Sequence, residues 1–379
     1  MVQNSRWSIC LIVSIILFSA CSPSNQSRMN DEGSDAHKSL VNYAKGFDLI
    51  DEGEGVIKVE VFDPNQVDKL LFSCYLSHNE NSPLEKVSGI LLRTPMDSVA
   101  VFSTTQLNGL ALLGMLDKVV GISEARFITI EQVKQRLAEG STIELGNNGA
   151  FFVERTLALN PQAIFYSPYQ LNQAHPLAAS QQLMIPFMDF METDPLARAE
   201  WIKFTAAFMG GYHEADSLFQ HIVMAYDSLK ELTQGLKERP TVMSDKYFAD
   251  QWYVPGGKSY IATMLNDAGG DYIWKNDDHV ASVPLDVETV LNEAAHADFW
   301  RIVGHYDQPF TYDQLASENE LYAHFDAFKN RNVIFCDSRK TGYFERGSLE
   351  PHIQLADLIF ALHPDLLPGY TPVYYHLIP

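Results

Sequence analysis

TDPLARAEWIKFTAAFMGGYHEADSLFQHIVMAYDSLKELTQGL, residues 193–236, divides the chain into two stretches that each read as an α/β lobe. Asp194-Pro195 is a helix-start pair, because proline gives up nothing at a first-turn position whose N–H would be unpaired anyway. Gly210-Gly211 interrupts the helix. Beyond it, Ala215, Leu218, Phe219, Ile222, Ala225, Tyr226 and Leu229 recur at i, i+3, i+4 and i+7, an apolar stripe on one helical face. At 1.5 Å per residue such a segment can span about 30 Å. The expectation is a single stiff inter-lobe helix, although a core helix of one large domain carries the same periodicity.

On either side, short apolar strands alternate with helices. In the first lobe (95–192), Ser98–Phe102, Val119–Ile122 and Ala163–Tyr166 read as strands, and Leu107–Leu116 and Val153–Leu159 as helices. The second lobe (237–379) has strands at Thr241–Met243, Phe299–Val303 and Val333–Cys336. Its helices are Tyr260–Ala268, Asp286–Ala294 and Pro351–Leu362, with Trp252–Lys258 as a loop. This grammar predicts two parallel-sheet cores covered on both faces. Residues 40–94 differ: Val56-Ile57-Lys58-Val59-Glu60-Val61 alternates, and the stretch predicts a small β-rich extension.

The 379 residues suffice for two ordinary domains, and 46% hydrophobic content with 12% aromatics describes a globular chain. Residues 1–20 read as a targeting segment, with Arg6 as the only early charge and an apolar run from Ile9 to Phe18 too short to span a bilayer. Ser19-Ala20-Cys21 resembles the lipobox of bacterial lipoproteins, which makes Cys21 the expected lipidation site and residues 1–20 the signal peptide. The polar tract that follows suits a flexible tether (21–39). Loss of Arg6 with the signal takes the formal charge from −21 to −22. So acidic a chain is a poor match for nucleic acid, which needs clustered Lys and Arg. Cys74 and Cys336 could pair in an oxidising compartment, but both sit in apolar runs and read rather as buried free thiols.

The order and spacing of several stretches resemble the periplasmic substrate-binding proteins of ABC importers for iron-siderophores, haem and cobalamin, whose lobes are joined by one long helix. They are Ser103–Gly114 with Asp117-Lys118-Val119-Val120-Gly121-Ile122, Glu154–Ile164 with Gln162 where aspartate is common, Gly256-Gly257-Lys258-Ser259-Tyr260 to Gly270, Asp286-Val287-Glu288, and Tyr343-Phe344-Glu345-Arg346. The resemblance implies a ligand cleft between the lobes, with Trp252 and Tyr253 against the ligand. It implies small lobe closure and one exposed glutamate per lobe, Glu154 and Glu288, docking on the permease. Both glutamates also open helices, where an acidic residue commonly does no more than offset the dipole.

Tyr343, Phe344 and Arg346 follow a strand, the position where ligands collect in α/β folds. Arg346 can pair with an anionic ligand or, more plainly, with Glu345 or Glu350. Thr104, Arg126 and Asn148 occupy comparable loops of the first lobe. Gly256-Gly257-Lys258-Ser259 lacks the first glycine of a phosphate loop, so Ser259 reads as a helix cap and the glycines as a tight turn. The histidines show no metal-ligand spacing, and there is no serine elbow. The expectation is therefore a monomeric, lipid-anchored, periplasm-facing receptor without a resident cofactor or metal. It would take an iron or cobalt complex and deliver it to an ABC permease with its ATPase. The rival is an exported enzyme, a metal-dependent hydrolase or chelatase, on a similar bilobed fold.

Overall fold

The computed structural model describes residues 38–66, 69–78, 89–169 and 175–379. The signal peptide, Cys21 and nearly all of the tether lie outside these residues. The alternating stretch forms the strand Val56–Phe62, paired antiparallel with Phe47–Gly53 and Leu70–Ser77. Its period of two sends Val59 and Val61 inward with Leu49, Cys74 and Leu76, all buried.

The first lobe holds a six-stranded sheet in the order Met184–Pro186, Ala163–Tyr166, Val99–Val101, Val119–Ser123, Ile143–Asn147, Ala150–Phe151, parallel except for the last pair. The second has Asp271–Tyr272, Thr241–Ser244, Phe299–Gly304 and Val333–Asp337 in parallel, with His376–Leu377 antiparallel at the edge. Strands covered on both faces read as continuous apolar runs, and Val333–Asp337 is buried at every position.

The stretch read as a loop around Trp252 is instead the strand Gln251–Pro255, central in an antiparallel sheet with Tyr247–Phe248 and Ser282–Leu285. Gly256 and Gly257 then turn the chain against residues 274–281. A Cβ on Gly256 would lie 2.1 Å from the His279 carbonyl oxygen, and one on Gly257 2.4 Å from that of Asp277. Ser259 caps the following helix as expected, accepting from Ala262 N at 3.2 Å.

Residues 193–236 form two helices rather than one strut. Gly210 and Gly211 adopt φ of 87° and 80°, a left-handed conformation open to a residue without Cβ. The chain there folds back, so that Pro195–Met209 and Tyr212–Thr233 pack on each other. The first is the bridge: every residue except Arg198 is buried. Leu196, Ala199, Ile202 and Ala206 enter the core of the second lobe, whereas Trp201, Phe204, Ala207 and Phe208 enter the core of the first lobe and the extension. Its 15 residues span about 22 Å. The return helix lays Ala215, Phe219, Ile222 and Tyr226 on the second lobe.

The bridge also carries charges that its apolar composition does not lead one to expect. Glu200, fully buried, accepts the backbone N–H groups of Asn42, Tyr43 and Ala44 at 2.7–3.1 Å. Glu192, just before the bridge, accepts those of Lys45 and Gly46 at 2.9–3.2 Å and the Trp201 indole at 3.0 Å. Lys203, also buried, lies 3.0 Å from both Glu200 and Asp216 and donates to the Leu40 carbonyl. Five consecutive amides of the extension are thus satisfied by two carboxylates, which fixes the extension on the lobe. Cys74 and Cys336 are free and buried, and burial pushes both thiols up to about 12.

Candidate functional site

The strand Phe299–Gly304 reads Phe-Trp-Arg-Ile-Val-Gly, with one charge among buried apolar side chains. That charge, Arg301, is 3% exposed and forms the floor of a cavity between the lobes. Its Nε and Nη2 donate to the Tyr375 hydroxyl at 3.2 and 2.8 Å, Nη2 also to Tyr343 at 3.2 Å, and Nη1 to Ser244 Oγ at 3.0 Å. Asp245 is its nearest carboxylate, at 3.6 Å, beyond a hydrogen bond. Burial opposes the guanidinium charge, but the phenol oxygens of Tyr375 and Tyr343 and the Asp245 carboxylate outweigh it, so Arg301 stays protonated. Burial raises the pKa of Asp245 and of Tyr343, which keeps the latter a neutral phenol. Asp245 sits at φ 62°, a backbone conformation uncommon outside glycine and of the kind held at binding sites.

The cavity above this floor is about 440 Å³, walled by Phe190 and Met191 from the first lobe and by Tyr260, Tyr343 and Phe344 from the second. Phe344, 58% exposed, separates it from a second cavity of about 350 Å³ that is lined by Thr104, Phe127, Thr129, His305 and Glu345. Here Glu345 accepts from the Thr129 N–H at 2.9 Å and from its hydroxyl, tying the lobes together across the cleft. A buried cation ringed by phenols below exposed aromatic walls can hold an anionic group on a flat, largely apolar molecule.

Of the residues singled out in the sequence, Tyr343, Phe344 and Thr104 meet in these two cavities. Trp252 does not. It is fully buried, packs on Trp300, Tyr322 and Phe325, and donates its indole N–H to Ser244 O at 3.0 Å, so it belongs to the core. Tyr253 alternates to the outer face of the same strand and lines neither cavity. Arg346 turns away to Glu350, bidentate at 2.9 and 3.0 Å. Arg126 pairs with Glu124 at 3.1 Å and with the Asn148 side chain, and neither Arg126 nor Asn148 lines either cavity. Glu154 and Glu288 are exposed in the first turns of Val153–Leu159 and Val287–Ala294.

The sequence reading missed Arg301, Asp245, Tyr260 and Phe190. A lone arginine inside an apolar strand was the available signal for the first. Among the described residues no helix is long and apolar enough to cross a membrane.

The family model described as periplasmic binding protein matches residues 99–340, beginning beyond the extension. An uncharacterized lipoprotein of Methanocaldococcus jannaschii is 27% identical over 360 residues, 87% of this chain and 83% of its own length. Among solved structures, the apo periplasmic haem-binding protein RhuT from Roseiflexus sp. RS-1 has a TM-score of 0.55 at 18% identity, covering 72% of this chain and 99% of its own. A periplasmic haem-binding protein from Pseudomonas aeruginosa gives 0.57 at 17%, with coverages of 73% and 96%. The TroA-like periplasmic binding protein FepB from Veillonella parvula gives 0.56 at 15%, with 76% and 96%. At these identities the structural likeness is one of fold.

Proposed function

The chain belongs to the periplasmic binding protein family, and on that premise we propose that it is the substrate-binding protein of an ABC importer. It takes an iron or cobalt complex of the siderophore, haem or cobalamin type into the inter-lobe cavity and delivers it to the permease and its ATPase. The observation that carries this reading is the cavity itself, about 440 Å³ with aromatic walls and the buried Arg301 on its floor. Small-molecule sites are concavities of about 300–1,000 Å³, mostly apolar with a few placed polar groups. Arg301 suits complexes that carry acid groups, haem and carboxylate or catecholate siderophores, better than an amide-decorated corrin.

Lipid on Cys21 would hold a monomer to the membrane, a reading supported by the lipobox-like Ser19-Ala20-Cys21 and by a relative described as a lipoprotein. Glu154 and Glu288, exposed on separate lobes, are the proposed permease contacts.

The test is a thermal-shift screen of residues 22–379 against haemin, cyanocobalamin, ferric citrate, a ferric tricatecholate and a ferric trihydroxamate. A ligand at 100 times its dissociation constant adds about 2.7 kcal/mol, read as a raised midpoint. We expect one acid-bearing class to raise it and to be recovered unchanged. No shift with any complex, or conversion of the bound complex to product, would overturn the reading.

A further inference from the structure

The extension reaches the ligand cleft. A side cavity of about 140 Å³ is lined by Lys45, Gly46, Pro64 and Asn65 of the extension, by Met188, Met191, Glu192 and Thr193 before the bridge, and by Val280 of the second lobe. It shares Met191, Glu192 and Val280 with the main cavity, so the two are neighbouring parts of one cleft. Asn65 contacts the Tyr169 hydroxyl, and Tyr169 meets Phe190 edge to face at 6.1 Å. Phe190 is a wall of the main cavity, and both rings keep a large exposed surface, 57% for Tyr169 and 40% for Phe190.

The electrostatics along this cleft are uneven in one direction. Its carboxylates are largely engaged internally: Glu192 by three N–H groups, Asp245 by Ser244 and Arg301, and Glu345 by Thr129 through Oε2, its buried Oε1 accepting no hydrogen bond among the described residues. Its cations are less so. Among the described residues no carboxylate pairs with Lys45, which lines the side cavity, or with Arg339, which lines the second one, and both are exposed. A chain of net charge −21 thus has two cationic residues at its cleft with no carboxylate partner among the described residues.

Resting on the receptor reading above, we propose that the extension is a third wall of the ligand site. Lys45 receives an acid group of the bound complex, and the Asn65–Tyr169–Phe190 shelf carries the flat part next to it. The two-carboxylate clamp makes such a wall rigid, since it grips the backbone of residues 42–46 and does not use the Lys45 side chain. The ligand class is then a polyacidic chelate, anchored at Arg301 by one arm and at Lys45 by another.

The test uses residues 22–379 with Lys45→Glu and, separately, Tyr169→Ala, titrated with haemin, ferric citrate and the ferric tricatecholate by fluorescence quenching at two salt concentrations. Neither change touches the clamp, which uses the backbone of residue 45. Binding at least tenfold weaker in both variants, with a shallower salt dependence in Lys45→Glu, is the expected result. Dissociation constants within twofold of the parent in both would overturn the third wall while leaving the receptor reading intact. No binding of any of the three by the parent chain would overturn both.

Discussion

Glu200→Ala is expected to lower the unfolding free energy by about 3–5 kcal/mol, the usual result of removing one member of a buried, hydrogen-bonded charge pair. The change takes the acceptor from the part-buried amides of Asn42, Tyr43 and Ala44 and leaves Lys203, 1% exposed, with Asp216 as its one remaining carboxylate among the described residues. Glu200→Gln keeps one carbonyl acceptor of the same shape and should lose less. Urea denaturation followed by tryptophan fluorescence reads both, since Trp201 stands beside the clamp and donates to Glu192. Limited proteolysis should cut the extension of the alanine variant first. A loss under about 1 kcal/mol would show that the clamp is no more than a surface contact.

Arg301→Ala should weaken binding of the complex that stabilises the parent by about 2–5 kcal/mol, roughly 30- to 4,000-fold, because the ligand's acid group would be buried with no cation to meet it. Isothermal titration measures the loss, and circular dichroism establishes that the variant is folded. Arg301→Lys keeps a charge but not the planar fork that engages Tyr343, Tyr375 and Ser244 together, and is expected to recover part of the affinity. A folded Arg301→Ala variant binding within threefold of the parent would remove the guanidinium from the ligand site.

The elements that could be read from the sequence were those whose cause is local. Val333–Asp337 and Val119–Ser123 are strands because their apolar residues are consecutive, and Ser259 caps its helix through a bond to the amide three residues on. The site was less legible because its members meet only through the crossing of elements. Arg301 is 42 residues from Tyr343 and 74 from Tyr375. The clamp was invisible because its donors are backbone groups, which leave no signature in side-chain identity, 156–158 residues from Glu200. Trp252 misled for a different reason. Flanking Gly and Pro made its strand look like a loop, and a large aromatic in a loop reads as a ligand platform, whereas in a strand of alternating exposure it fills the core. Arg346 shows the reverse, a residue whose plainer pairing, with a carboxylate four positions on, is the one the fold uses.

The bridge that feeds side chains into both hydrophobic cores has a consequence for how the molecule comes apart. Parting the lobes would drag Trp201 and Phe204 out of one interior or Ile202 and Ala206 out of the other, so that beneath the cleft the two cores are tied through one buried helix. The halves therefore share one melting event, a single calorimetric endotherm in place of two. A ligand that stabilises either half is then expected to stabilise the whole, and on the receptor reading its entry is expected to need small sliding of packed surfaces instead of the swing of a jaw.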